Sequence, residues 1–398
     1  DKIKMAIEQA VNLPRSIMSS FDLSFGGRQG AFAAPSFRKE FMDSWTKQFK
    51  MFGDEKAYKS VMDSVASNPH FELAKESGVS FTNVGMELSQ REERFMSQWA
   101  DKIPGVKASA RAYTGFANKF RMDIFSSMVK QAESAGIDIT KNYDLTKQVA
   151  TFVNNATGRG DLPKSIEKAA VMLNAAFFSP HLIASRLALL NPAYYITADP
   201  FVRKQALKSL FAFAGTTATI IGLAKLAGAD VETDTNSSDW GKIKVGNTRV
   251  DVMAGFQQYI RMASQLISGK YKSSTTGKEL TLGEGYKPIT RLDIISRQIE
   301  SKEAPVLSFI TDLLRGQNYI GEPIKITDEI AKRFVPMTIQ DIIDLAKDDP
   351  NTIPLSALGV FGLGIQTYKS RAGTPPDYPS MKMGGSTLPS LKGVGTFK

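Results

Sequence analysis

Side chains equipped for chemistry are sparse in this sequence. Paired carboxylates, the usual instruments of general acid and base catalysis, occur at Glu92-Glu93, Asp328-Glu329, Asp341 with Asp344, and Asp348-Asp349. Asp341 and Asp344 share one face of an expected helix. Their neighbours Ile342, Ile343 and Leu345 suit a surface strip beside a core strip. Glu92 is already engaged by a capping box, Ser89-Gln90-Arg91-Glu92, which sets a helix start at Ser89. There are two histidines, His70 and His181, and no cysteine. Disulfides and thiolate metal sites are excluded, and little remains for histidine-based catalysis. Gly26-Gly27-Arg28-Gln29-Gly30 lacks the Lys-Ser/Thr of a phosphate-binding loop, and the spacing of Gly359, Gly362 and Gly364 is not the dinucleotide fingerprint. No cofactor or metal is expected, and this segment is read as non-catalytic.

What remains is charge and apolar surface. Fifty basic and forty acidic residues give a net charge of +10 over 398 residues. The excess is uneven: residues 101–210 hold fifteen basic against eight acidic side chains, 351–398 five against one, and 301–350 six against nine. Such a chain is attracted to polyanions, nucleic acid or anionic lipid. Zinc-finger spacing, an arginine-rich run and an RNA-binding aromatic signature are missing, so DNA contact would run through phosphates without sequence preference. Arg28, Arg159, Arg203, Lys204 and Lys208 are the candidate polyanion contacts. A solvated basic surface with no such partner is the plain alternative.

The elements that would position these groups read as helices. With 42% hydrophobic and 23% charged residues, wholesale disorder is ruled out. The expected fold is mainly α: an elongated multi-helix assembly with one small β-hairpin at about residues 241–252 and a disordered or partner-held tail. Residues 1–35 read as an N-terminal helix (2–12) and a Gly-rich strap, 36–135 as an aromatic-striped helical domain, and 136–235 as a central apolar helical region. A hairpin plus helical domain (236–369) and an extended tail (370–398) follow.

Phe37, Phe41, Trp45 and Phe49 recur at every fourth position, a packing stripe down one helix side. Further helices are expected at 54–66, 70–77, from Pro104 to about Ser134, and at 143–156, 162–177, 254–268, 289–300, 304–315, 327–334 and 338–347. Asp161 reads as the N-cap of the helix at 162, and 269–287 as a loop. In the hairpin, Gly246-Asn247 forms the turn, with Val245 facing Thr248, Ile243 facing Val250 and Lys242 facing Asp251.

Ser209 to Ala224 is sixteen residues without a charge. Arg203, Lys204 and Lys208 precede it and Lys225 follows. At about 24 Å it is shorter than a hydrocarbon core of about 30 Å, and no apolar run reaches eighteen residues, which argues against a standard transmembrane span. A buried central helix is the ordinary account. The alternative is a membrane or helix-packing segment, with Gly215, Ala218, Thr219 and Gly222 forming a small-residue face and Lys225 at a headgroup.

Strings in a consistent order along residues 20–370 resemble the helical C-terminal region of bacteriophage large polyvalent proteins. They are Phe21-Asp22-Leu23-Ser24 with Arg28-Gln29-Gly30, and Arg91-Glu92-Glu93-Arg94-Phe95. Next come Arg111-Ala112-Tyr113 with Asn118 and Arg121, and Ala156-Thr157-Gly158-Arg159-Gly160. Then follow Asn174 with Phe177-Phe178-Ser179-Pro180, and Asn191-Pro192 with Tyr194. The hairpin string Asp239-Trp240-Gly241-Lys242-Ile243 with Gly246 to Asp251, Asp312-Leu313-Leu314 with Gly316, Arg333-Phe334-Val335-Pro336, and Gly359 through Tyr368 complete the set. The resemblance implies an ejected internal virion protein, or an accessory region of one, whose enzymatic activities sit elsewhere in a long chain. It implies a virion-interior location, then the host envelope or cytoplasm. Implied partners are further copies of the chain in a ring or tube, the portal or other internal virion proteins, double-stranded DNA through phosphates, and the host membrane. A static portal-associated plug and a non-catalytic scaffold of a giant virion enzyme are the alternatives. The chain begins at Asp1 without an initiator Met and is read as a piece of a longer polypeptide. In the strap, Arg28 and Gln29 are expected to clamp backbone carbonyls.

Overall fold

Thirty-one residues free of internal proline, opened by Pro104, form the helix on which the first half of the chain is laid. The computed structural model describes residues 18, 23–82, 103–162, 179–273, 277–285, 288–302, 308, 335–348, 350–360, 362–367, 382–383 and 386–387. Helix accounts for 65% of them, in thirteen segments with a few small antiparallel sheets, so the protein is mainly α. Expected helices at 2–12, 162–177, 304–315 and 327–334, and the start at Ser89, lie outside the described residues.

In chain order the first helices are α1 (Phe25–Gly30), α2 (Arg38–Gly53), α3 (Glu55–Ala66), α4 (Phe71–Glu76) and α5 (Pro104–Ser134). Next come α6 (Tyr143–Ala156), α7 (Pro180–Leu190), α8 (Pro192–Thr197) and α9 (Pro200–Leu226). Gly136 (φ +75°) ends α5 in the left-handed region, and Ile137 N–H returns to the Ala132 carbonyl at 2.9 Å, a closure that suits glycine. α2 and α3 pack along α5. A Cβ at Gly115 would stand 2.2 Å from Met51 Sδ, so the glycine leaves room for the Met51 side chain of α2 against α5. Phe116, Phe120, Phe125 and Met128 of α5 are buried with Phe37, Trp45 and Phe152 in one core. Burying each such aromatic contributes roughly 2–3 kcal/mol.

The Gly-rich strap is not a loop. Phe25–Gly30 is helical, and a Cβ at Gly26 or Gly30 would press on Trp45 or on Phe41 and Phe120. The glycines serve close packing here, which the strap reading missed. α7, α8 and α9 each open on a capping residue followed by proline: Ser179-Pro180, Asn191-Pro192 and Asp199-Pro200. Proline at the first helical position loses no hydrogen bond, and Asn191 and Asp199 accept from the N–H two residues on.

The hairpin exists but is not alone. β1 (Asp230–Val231), β2 (Ile243–Val245), β3 (Thr248–Asp251) and β6 (Gly364–Thr367) form an antiparallel sheet in that order. Ile243 faces Val250 and Val245 faces Thr248 as expected, while Val250 also pairs with Ile365. Two strands are marginal by themselves; two- and four-residue edge strands are too short to read from periodicity, and they complete the sheet. Lys242 does not meet Asp251. Its Nζ reaches Asp239 at 3.0 Å and Gln366 at 3.1 Å, and Asp251 instead accepts from Met253 N and Gly255 N. That turn carries Ala254 at φ +49°.

α10 (Gln257–Ser268), β4 (Lys270–Lys272), β5 (Glu279–Thr281), α11 (Arg291–Glu300), α12 (Met337–Asp348) and α13 (Ser356–Val360) complete the body. Strands β4 and β5 pair within the stretch read as a loop, and Lys270–Glu279 (2.7 Å) closes them. In the tail, β7 (Lys382–Met383) pairs with β8 (Ser386–Thr387).

Candidate interaction surface

Most of the polar residues that drew notice in the sequence are consumed by the fold. Arg111 donates through Nε to the Met51 carbonyl (2.6 Å) and through Nη2 to the Phe52 carbonyl (2.7 Å), satisfying the end of α2. Asn118 and Asn154 grip the extended segment 78–82 in the manner of a neighbouring strand. Asn118 accepts from Thr82 N–H and donates to its carbonyl; Asn154 accepts from Ser80 N–H and donates to the Gly78 carbonyl. Between them lies Arg121, fully buried, bonded to the Ser80 carbonyl and to both oxygens of Thr157.

Gln29 exchanges bonds with the Tyr113 hydroxyl rather than clamping a backbone carbonyl. The carbonyl of Arg28 is itself clamped, by the buried Arg186, whose guanidinium sits 4.1 Å over the Phe256 ring. Burial pulls Arg186 down to about 10. Arg159 is 5% exposed, so it cannot reach a DNA phosphate from this fold; that candidate is withdrawn. Arg28 is half-buried, and Arg203 donates to the Ile196 and Ala198 carbonyls, holding the α8–α9 corner. Lys204 and Lys208 are exposed. They alone among the five polyanion candidates present a solvated charge without a backbone duty.

The aromatic stripe is core at Phe37 and Trp45 and half-buried at Phe41, where the ring stacks on Trp45. Phe49 is 40% exposed and touches only the Trp45 edge among described ring contacts. Phe37 precedes α2 rather than lying in it, so four rings do not share one helical face. On α12 Leu345 is buried, whereas Ile342 and Ile343 are largely exposed. Their core-strip reading fails on this face. Asp341 is half-buried, and the acidic pairs at 92–93 and 328–329 lie outside the described residues. Among the described residues no three of His, Cys, Asp and Glu gather as a metal site. The two histidines are occupied separately: His70 Nδ1 lies 2.8 Å from Ser126 Oγ, and His181 Nδ1 donates to the Gly160 carbonyl at 2.7 Å.

The uncharged run falls in α9, a 27-residue helix about 40 Å long. It is not a buried central helix: within the run only Ser209 and Thr217 are buried. Among the described residues α9 is the one helix long and apolar enough to cross a membrane, by length and composition, which the eighteen-residue count did not foresee because flanking turns extend the run. Both ends are held. Ser209 Oγ meets Ser36 Oγ at 2.7 Å, Gln205 donates to Gln131 at 2.8 Å, and Phe213 packs on Phe256. At the far end Ile221 and Ala224 pack on the cluster of Val231, Ile243 and Val250 of the sheet with Val252 just beyond it. The opposite side is bare, with Phe211 70%, Leu223 61% and Leu226 87% exposed. Gly215 and Ala218 are exposed there, Gly222 is half-exposed, and Lys225 is exposed. The sequence named the small residues but missed Phe211, Leu223 and Leu226, whose exposure only packing decides.

A further, half-buried cation, Lys302, lies just past the end of α11 against α10. Lys302 donates to Gln258 Oε1 at 2.6 Å. Burial, with the Arg261 charge adding to it, pulls Lys302 down to about 8. Between pH 8 and about 10.5 the unfolded chain holds a proton that the folded chain has released, so stability rises with pH through that window, and below it the cost is fully present. Lys302→Met is expected to stabilise the protein at pH 7 by about 2 kcal/mol and to lose that gain by pH 10.5. Chemical denaturation at the two pH values reads it; a variant less stable than its parent at pH 7 refutes it.

No family model, curated protein or solved structure matches this chain.

Proposed function

We propose that this chain is a phage internal virion protein, or a part of one, packed near portal and genome and delivered with the DNA to help it pass the host envelope. It acts through assembly, charge and apolar surface, with no bond made or broken by its own side chains. The observation that carries the reading is the bare apolar side of α9 between exposed lysines. A soluble monomer gains nothing from leaving Phe211, Leu223 and Leu226 in water, whereas a protein that meets an envelope uses them. The net charge of +10 suits packing against DNA, and the resemblance in string order supports the virion setting.

Two measurements test it. Mass spectrometry of full and DNA-emptied particles should find the chain in the first and not the second; retention in emptied particles replaces ejection with the static plug. Purified chain should bind double-stranded DNA of any sequence, and six phosphate contacts would weaken that binding about a thousandfold between 50 and 200 mM salt. DNA binding that is absent at low salt refutes the genome-packing role.

A further inference from the structure

We propose that the bare side of α9 lies flat on an anionic lipid surface. The inference rests on the envelope role proposed above and specifies how that contact is made. Lys204 and Lys208, then Phe211, Gly215, Ala218 and Gly222, then Lys225 step along α9 by fours and threes. Those steps keep them on one side of a helix. All but Gly222 are exposed, and Leu226 and Leu223 flank the line. The result is an apolar strip with cations at both ends, Lys208 and Lys225 lying about 25 Å apart.

The orientation follows from what holds the helix. A spanning helix shows lipid its whole circumference at mid-bilayer, but α9 has its opposite side on the protein. Phe213 sits among Phe32 and Phe256, Thr217 is buried, and Ile221 and Ala224 cover the sheet. With both ends anchored in the fold, the strip can be covered only from the side. An interfacial helix does that, its apolar residues sinking below the headgroups while lysine stems reach up to them.

Charge selects the occupant. If a second copy paired through the same strip, a parallel arrangement would set Lys204, Lys208 and Lys225 against themselves. An antiparallel one would set Lys204 against Lys225. Either places like charges opposite each other at both ends. Anionic headgroups meet all three lysines with opposite charge, each contributing to attraction at the surface. Glycine at 215 and 222 does not argue for a close helix partner, because a Cβ at either position meets nothing; it makes both positions clean probes.

The experiment is vesicle co-sedimentation of the full chain, with Phe211→Trp supplying a fluorophore for depth quenching by brominated lipids. Binding to phosphatidylglycerol-containing vesicles should exceed binding to pure phosphatidylcholine at least tenfold. Gly215→Glu with Gly222→Glu should lower it at least tenfold with the helical circular dichroism unchanged. Gly215→Leu with Gly222→Leu should raise it several-fold, whereas a close-packed helix partner would be displaced by the same pair. Quenching should come from shallow bromines. Equal binding to neutral vesicles, weaker binding by the leucine pair, or quenching from the bilayer centre overturns the inference. A chain that leaves the particle yet binds no vesicle overturns this inference alone; one that binds vesicles yet stays in emptied particles overturns ejection alone.

Discussion

Arg121→Met should destabilise the protein by about 3–5 kcal/mol, the largest effect expected of any single side chain described above. Methionine fills a similar volume, so the loss is polar. The guanidinium is fully buried on α5 and donates to Thr157 Oγ1 (2.9 Å), the Thr157 carbonyl (3.3 Å) and the Ser80 carbonyl (2.9 Å). Removing it strands three buried acceptors, each costing about 1–3 kcal/mol unsatisfied. Part of that is offset because a costly buried cation has gone. Arg121→Lys keeps the charge but cannot span the segment 78–82 and the end of α6 together, so it should fall between parent and methionine. Urea denaturation midpoints give the ranking. A methionine variant within about 1 kcal/mol of the parent would falsify the clamp role.

Gly160→Ala should come next, at about 3–4 kcal/mol, and its damage should be local. A Cβ there would stand 2.3 Å from Ser185 N, 2.6 Å from Ser185 Cα and 2.8 Å from the Ala184 carbonyl carbon. All three are backbone atoms of α7, so no rotamer change relieves the overlap, and α7 must move. Moving it breaks the bonds from Gly160 N–H to the His181 carbonyl (3.1 Å) and from His181 Nδ1 to the Gly160 carbonyl (2.7 Å), each contributing about 1 kcal/mol. It also displaces Arg186 from Arg28 and Phe256. Gly136→Ala is the control: its φ of +75° is unfavourable to alanine, but a Cβ there meets nothing, so only about 1–2 kcal/mol is expected. Hydrogen exchange should place the new opening of Gly160→Ala in α7. Equal losses in the two variants would mean that backbone conformation, and not the fit against α7, makes glycine necessary at 160.

Asn118, Arg121 and Arg111 bond to backbone and Gly160 packs against it, so these positions serve the fold. The exposed strip of α9 is different: a Cβ at Gly215 or Gly222 meets nothing, and Phe211, Leu223 and Leu226 are exposed.

The sequence by itself determined the helical class, the long α5 and its glycine stop, and the hairpin's central register. These are local: period, capping residues and a two-residue turn act within a few positions of each other. The lysine-bounded run of α9 was also plain, because charge and its absence need no fold to be seen. Tertiary structure alone decided which cations are spent. Arg159 and Lys208 are both basic side chains, yet one is buried and the other exposed, because burial depends on segments far away in the chain. The same cause turned the strap into a packed helix under Trp45, drew Gly364–Thr367 onto the hairpin across more than a hundred residues, and left one side of α9 in water.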